Sequence, residues 1–534
     1  MRRSRFLLAP AAALLLAAQA PPADPAAAER MRSHVAFLAS DRLEGRATGS
    51  AGYALAADYV AAQFKAFGLR PGAGDGQWFQ QVRFRSALNA APPLVTYTAG
   101  SRTLRLTSGR DVAVVPSLVE RQRTLRAGVV FVGHGISEPA LGIDEYAGLD
   151  VRGKIVVALD GMVRGIPGDI AAHLEVAKER TAAAKGAIGF IKVAQVSRED
   201  ARRPVFHTLD EGGTKVLSSA GLALEMTIST SAGERLFKGA PKSLSSLRSV
   251  PGRDGPIAGF ALPGELTIQS SGTWQEFTSP QVIGVIPGAD PKLRDEYVVV
   301  MAHLDHLGKQ PEARRGEDGI FNGALDNAAG VATLLEVARA FGTSGAAPRR
   351  SVMLVATAGE ERGLLGAYHL AHSPPVPADR IVAAVNLDMP LLTYDFTDVI
   401  AFGADHSTIV DSVAAAGRSL GVGVSVDPMP EQNLFIRSDH YPFVLRGVPS
   451  IFLMTGYANG GRQAWSNYLG RVYHRPNDDM KQPIRWNAAA RFAALNHAIA
   501  RSLADQPGRP EWRAGDYFGR RLPPAPVPAP APPR

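Results

Sequence analysis

YVVVMAHLDHLG (residues 297–308), GALDNAAG (323–330) and SVMLVATAGEERG (351–363) decide the fold of this 534-residue chain. The first and third begin as unbroken apolar runs, too short for helices and too apolar for strands with one face in water. Between them, residues 327–341 repeat apolar side chains at helical spacing, with Asp326 or Asn327 placed to cap the first turn. The same rhythm continues on both sides. Strands are expected at 281–288, 381–388 and 449–454, and helices at 364–371, 408–420 and 488–503. Apolar strands alternating with helices predict an α/β class fold, with a mostly parallel central sheet covered by helices on both faces.

At this length two domains are expected. Residues 91–262 differ in texture from their flanks. Short β-rich runs at 94–97, 128–132, 154–158 and 189–193 are separated by glycines, with helical pattern confined to 170–185. This predicts an inserted, mostly β domain within a discontinuous one formed by 29–90 and 263–507. His134, His173 and His207 fall in the insert without ligand spacing around them. Near the N-terminus, two helical patterns flank the polar break SDRLEGRATGS (40–50), and its 42–46 segment reads as a solvated turn.

The ends of the chain carry most of its charge. The net charge is +8, but residues 1–20 hold three arginines and no acid, and residues 508–534 hold five arginines against Glu511 and Asp516. Removing +3 at each end leaves +2 for the body, which gives no basic patch and argues against nucleic-acid binding. MRRSRF followed by LLAPAAALLLAA and Ala18-Gln19-Ala20 has the layout of a signal peptide over residues 1–20, so an exported, periplasmic or secreted protein is expected. No later run approaches the ~20 apolar residues of a membrane-spanning helix. Cysteine is absent, which excludes thiolate metal sites. The 508–534 tail ends in LPPAPVPAPAPPR, an extended Pro/Ala segment.

Ligands of parallel α/β sheets bind beyond the carboxyl ends of the strands, and the polar residues cluster at such ends. Strand 297–303 delivers His303 and, two residues on and facing the same way, Asp305. An imidazole bound to metal commonly gives its second N–H to such a carboxylate. Glu360-Glu361 and Asp388 end two further strands, Asp326 precedes a helix, and His474 lies in VYHRPNDD (472–479). Two imidazoles among several carboxylates suit zinc, with cobalt or manganese as alternatives. Were Asp326 to bridge two divalent ions, a bridging hydroxide would balance the charge and serve as nucleophile. Of two adjacent glutamates, one can bind metal while the other acts as general base. Singly, each residue has a structural explanation, as a helix cap, a charge pair or a hydrogen-bonded histidine. Together in one α/β domain they point to a metal site.

The set AHLDHLG, GALDNAAG, ATAGEERGLLGA, NLDM, RSDHYPF with GVPSIFL, and YHRPNDD resembles, in order, the co-catalytic two-zinc peptidases related to bacterial secreted aminopeptidases and glutamate carboxypeptidase II. Residues 34–72 are similar to the opening of that family, and residues 131–157 to its protease-associated domain. The resemblance implies one ion on His303 and Asp388, the other on Glu361 and His474, and Asp326 between them. It implies Glu360 as general base, Asp305 as orienter of His303, Tyr473 as oxyanion donor, and a substrate-side loop at Ser438, Asp439 and His440. The expected activity is aminopeptidase action on peptides. A carboxypeptidase or dipeptidase is the alternative, with Arg437 or Arg475 available for a substrate carboxylate. A receptor-like binding ectodomain and a glutaminyl cyclase fit the complete ligand set less well. His306 has no assigned role.

Overall fold

The computed structural model describes residues 24–520 except Arg164 and residues 211–212, 214–215, 217–219, 249–254 and 311–315. The expected leader and the end of the Pro/Ala tail lie outside the described residues. Four parallel strands form the middle of the central sheet, in the order Ser351–Thr357, Tyr297–His303, Ile381–Leu387 and Ser450–Thr455. Antiparallel partners flank them. Phe260–Ile286 lies beside Ser351–Thr357, with Phe79–Asn89 beyond it, and Asp398–Phe402 lies beside Ser450–Thr455. The parallel character thus belongs to the middle of the sheet.

Alternation along Tyr297–His303 divides its side chains between two cores. Val298, Val300 and Ala302 pack with helices Ala51–Ala66, Ala329–Thr343 and Trp486–Asp505, whereas Val299 and Met301 pack on the other face with Leu370 and Phe443. Each such buried Val or Met contributes roughly 1.5–3 kcal/mol. Helices therefore cover both faces, and no described helix is long and apolar enough to cross a membrane.

A second sheet has its own core, drawn from Val95, Phe131, Ile155, Ile191, Leu224 and their neighbours. Strands Gln122–Phe131, Ile155–Leu159, Gly189–Val193 and Leu224–Ile228 run parallel through it. Two features depart from the sequence reading. The expected helix over 170–185 is divided into Gly168–Val176 and Lys178–Ala184. The expected boundary at 262/263 falls inside one 27-residue strand, Phe260–Ile286, which pairs with the second sheet through its first half and with the central sheet through its second. Pro263-Gly264 resembles a break, but a register shift between Ala261 and Glu265 accommodates it within the strand.

The 42–46 segment is also unlike its expected solvated turn. Arg46 is only 1% exposed. Its guanidinium donates to the carbonyls of Leu38, Leu304, Asn322 and Gly323. Arg46 thus ties the end of helix Pro25–Leu38 to Leu304, just past strand Tyr297–His303, and to residues 322–323, ahead of the Asp326 turn.

Candidate metal centre

His303 is the last residue of its strand and is buried. Its Nδ1–H donates to the Asp305 backbone carbonyl at 3.0 Å, which leaves Nε2 as the free lone pair. That nitrogen lies 3.0 Å from Asp388 Oδ1 and 3.3 Å from Asp326 Oδ1. Asp388 follows the neighbouring strand, and its Oδ2 accepts from Ser438 Oγ at 2.6 Å. Asn386 Nδ2 donates in turn to that hydroxyl.

Asp326 sits in the irregular turn Ala324–Ala328, ahead of helix Ala329–Thr343. Asn327 serves the helix, its Oδ1 accepting from the Gly330 N–H, so the Asp326 carboxylate is left for the site. The backbone N–H groups of Leu325 and Asp326 donate to Asp478, a buried acid that fixes the turn. While Asp326 Oδ1 faces His303, its Oδ2 lies 3.2 Å from His474 Nε2. The same His474 nitrogen is 3.3 Å from Glu361 Oε2. One carboxylate therefore presents one oxygen to each of two ligand pairs. His303, Asp326 and Asp388 form one group with the spacing of a metal site, and His306, Asp326 and Glu361 form another. Imidazole nitrogens and the oxygens of three carboxylates converging at about 3 Å fit two divalent cations.

The carboxylate of Asp305 does not face His303, the role the sequence suggested for it. Its backbone carbonyl orients the imidazole. Its Oδ1 accepts from the N–H groups of Gly359 and Glu360, and its Oδ2 accepts from Thr48 Oγ1 at 2.8 Å. The turn after strand Ser351–Thr357 has N–H groups that no strand partner takes, and a buried carboxylate satisfies two of them. The glutamates lie on the single helical turn Glu360–Arg362, not on an extended segment. Glu360 lines the cleft, and Glu361 faces His306 and His474.

Ser438, Asp439 and His440 were expected on the substrate side. All three are buried behind Asp388, and none lines the cleft. Asp439 accepts from Thr357 Oγ1. The loop's neighbours explain the shift. It leads straight into the buried helix Tyr441–Val444, so its polar side chains reach the sheet and not the opening.

The cleft has a volume of about 290 Å³. Around the polar floor of His303, Asp326, Glu360, Asp388 and His474 stand Met389, Met429, Leu434, Phe452, Trp465 and Leu469. Gln432, Arg437 and Tyr473 complete the lining, and Tyr473 stacks on the His474 ring with centroids 3.8 Å apart. Arg475 lies outside it, at a separate surface depression.

Charge is tightly coupled at the floor. Burial pushes the Glu360 carboxyl well above its usual range, and neighbouring Asp388, Glu361 and Asp439 push it further. Burial and Asp326 would also raise Glu361, but hydrogen bonds from His306 and His474 bring it down to about 2. Burial would depress the His474 imidazole, yet Asp326 and Glu361 raise it to about 10. Burial and the surrounding acids keep the Tyr473 phenol protonated far above its ordinary value. His303 and His474, both raised by the acids around them, are the cations that this cluster supplies for itself, and bound divalent ions would take over that role.

Thr48, Arg46, Asp478 and the Ser438–Asp388 contact had no signal in the sequence. Asp478 stands in the quoted YHRPNDD, but nothing in its spacing points to the backbone of residues 325–326.

Residues 281–500 match the sequence profile of Peptidase family M28. A "Probable zinc metalloprotease" of Pyrenophora teres f. teres is 35% identical over 108 residues, covering 20% of this chain and 22% of that protein. Leupeptin-inactivating enzyme 1 of Streptomyces exfoliatus is 28% identical over 216 residues, covering 38% and 44%. The match thus spans between about a fifth and under half the length of these relatives. Among solved structures, an aminopeptidase from Aneurinibacillus sp. strain AM-1 is similar over 90% of this chain and 95% of that one, with a TM-score of 0.49 and 22% identity. The zinc aminopeptidase BSAP from Bacillus subtilis is similar over 90% and 95%, with a TM-score of 0.43 and 18% identity.

Proposed function

We infer the function from the premise that, through residues 281–500, this chain belongs to peptidase family M28. On that premise it is a metal-dependent exopeptidase, an aminopeptidase that removes N-terminal residues from peptides. The observation that carries this reading is the division of Asp326, with Oδ1 on the His303/Asp388 pair and Oδ2 on the Glu361/His474 pair, at the floor of a cleft. His303 and Asp388 would hold one ion, Glu361 and His474 the other, and Asp326 both. Imidazole and carboxylate donors without thiolate favour zinc. When bound, such ions polarise a carbonyl and acidify water.

The chain's own residues do the rest. Glu360 lines the cleft within the same acidic cluster, so it is placed to take a proton and return it to the leaving amine. Its turn is held by the Asp305 carboxylate, which fixes where that proton is carried. Tyr473, kept protonated, can donate to the oxyanion as it forms. The apolar walls receive the side chain of the substrate's first residue and keep bulk water away from the floor.

A carboxypeptidase or dipeptidase is the second reading, and it rests on Arg437, a cation in the cleft lining that could meet a terminal carboxylate. A profile of free-amine and N-blocked peptides with zinc present separates the two. Cleavage of free-amine peptides and aminoacyl-nitroanilides, abolished by chelator, is the expected result. Preferred cleavage of N-blocked peptides at their C-termini would replace the first reading by the second. Chelator-insensitive inactivity would favour the binding-ectodomain alternative. We also propose that the protein is exported, on the leader-like layout of residues 1–20, and that residues 91–262 act as an inserted unit beside the cleft. Helix Gly168–Val176 of that unit supports this, since it lies against the turns Pro430–Gln432 and Leu434–Ile436, whose Gln432 and Leu434 line the cleft.

A further inference from the structure

His306 is fully buried, and it does not line the cleft. Its Nδ1 lies 2.8 Å from Glu361 Oε1 but 3.9 Å from Asp326 Oδ2. The other oxygen of Glu361, Oε2, is the one that lies 3.3 Å from His474 Nε2. Glu361 is thus held between two imidazoles, His474 at the cleft and His306 behind it.

The His306 ring is itself fixed from several sides. The residue's backbone N–H donates to the Arg46 carbonyl at 3.2 Å, and its ring stands edge-on to His474 with centroids 5.8 Å apart. Gly323 lies against the ring so closely that a Cβ there would come within 2.7 Å of Cδ2, and its φ of 58° already favours glycine. Nε2 is buried with no hydrogen-bond partner among the described residues, so Nδ1 makes the only polar contact of the ring. Glu361 needs this support more than the other ligands do. It stands on a single helical turn closed by Gly363 at positive φ, whereas His303 ends a strand of the central sheet.

We propose that His306 is a positioning residue, whose Nδ1–H holds Glu361 Oε1 so that Oε2 is presented, with Asp326 and His474, to the second divalent ion. The distances favour this role over direct ligation. Asp326 Oδ2 and Glu361 Oε2 lie 3.2 and 3.3 Å from His474 Nε2, whereas His306 Nδ1 meets the other Glu361 oxygen and stands 3.9 Å from Asp326 Oδ2. His306, Asp326 and Glu361 also have the spacing of a metal site, so the cobalt readout below decides between the two roles. The proposal rests on the two-metal reading above. Partners that orient metal-binding carboxylates typically contribute 10–100-fold in affinity.

The test is titration of the full chain with Zn2+ against a competing chelator, for the wild type, His306→Leu and His306→Asn. Leucine keeps the ring's volume without the donor, and asparagine restores an N–H. The expected result is two tight ions in the wild type and one tight ion plus one bound 10–100-fold more weakly in His306→Leu. His306→Asn should recover most of the second affinity. Both variants should unfold with wild-type cooperativity. Two ions at wild-type affinity in His306→Leu would overturn the proposal and leave the two-metal reading intact. A wild type that binds fewer than two ions would overturn that reading first. The Co2+-saturated protein gives a second readout, since ligand-field bands of His306→Leu should match the wild type. A changed coordination number would overturn positioning in favour of direct ligation.

Discussion

The two halves of the metal centre are built from different materials. His303 and Asp388 stand at the ends of adjacent parallel strands, and their supports come from the sheet and the buried turn behind it. Glu361 and His474 stand on a single helical turn and an irregular loop, and His474 has a φ of 57° and remains 34% exposed. Strand ends hold side chains through a ladder of hydrogen bonds, so the first half is preorganised by the fold itself. The second half owes its geometry to individual contacts, from His306 to Glu361 and from the stacked Tyr473 to His474. A single site can therefore combine a rigid ligand pair with one that must be assembled.

The sharpest attack on this comparison removes the chemistry and leaves both halves standing. Glu360→Gln should lower kcat by roughly 10²–10⁴-fold while metal analysis still finds two ions. A near-wild-type rate would remove Glu360 from its role. Arg46 ties the His303 side to the Asp326 side through the Leu304, Asn322 and Gly323 carbonyls. Arg46→Met leaves several buried carbonyls unpaired, at ~1–3 kcal/mol for each group that water cannot reach. Denaturant unfolding should therefore show a loss of ~3 kcal/mol or more, and an unchanged midpoint would show that the His303 strand end and the Asp326 turn are held together by other contacts.

Ser438→Ala probes the rigid half alone. It removes the hydrogen bond to Asp388 Oδ2, so affinity for the first ion should fall ~10-fold or more while the second is unchanged. Equal weakening of both ions in a zinc titration would erase the distinction between the halves.

The smallest effect concerns a contact outside the cleft lining, where helix Gly168–Val176 meets the body of the molecule. His406 lies between Asp516, at 2.7 Å, and Asp169 of helix Gly168–Val176, at 3.3 Å. Burial would depress its imidazole, but these two carboxylates raise it to about 9 from an ordinary 6.5. A group raised on folding stabilises the folded state fully below pH 6.5 and loses that contribution as pH rises through about 9. Melting temperature should therefore decline between pH 6.5 and 9.5 in the wild type, and less so in His406→Gln. Parallel pH profiles for the two would show that these carboxylates do not stabilise the fold through His406.

Much of the molecule could be read from residues in a row. The apolar runs ending in His303, Glu360 and Asp388 could hardly be anything but buried strands, because only a sheet covered on both faces accommodates them. The polar residues at their ends marked the site for the same reason. What period and spacing could not carry were contacts between distant segments. Asp326 and Asn327 were both candidates to cap the helix; the cap position falls on Ala328, Asn327 Oδ1 accepts from the Gly330 N–H just inside the helix, and Asp326 is left to the site. Asp305 turned its carboxylate to the Glu360 turn, because two N–H groups there had no other partner. Ser438–His440 were drawn behind Asp388 by the helix that follows them.

The sequence by itself determined the class of the sheet, the order of its elements and the donor atoms at its carboxyl edge, since these follow from hydrophobic period and residue chemistry. The tertiary structure alone decided which oxygen faces which nitrogen, that Arg46 is buried and that His306 stands behind Glu361. Hydrogen bonds across tens to hundreds of residues satisfy buried groups one by one, and no local pattern in the chain records that accounting.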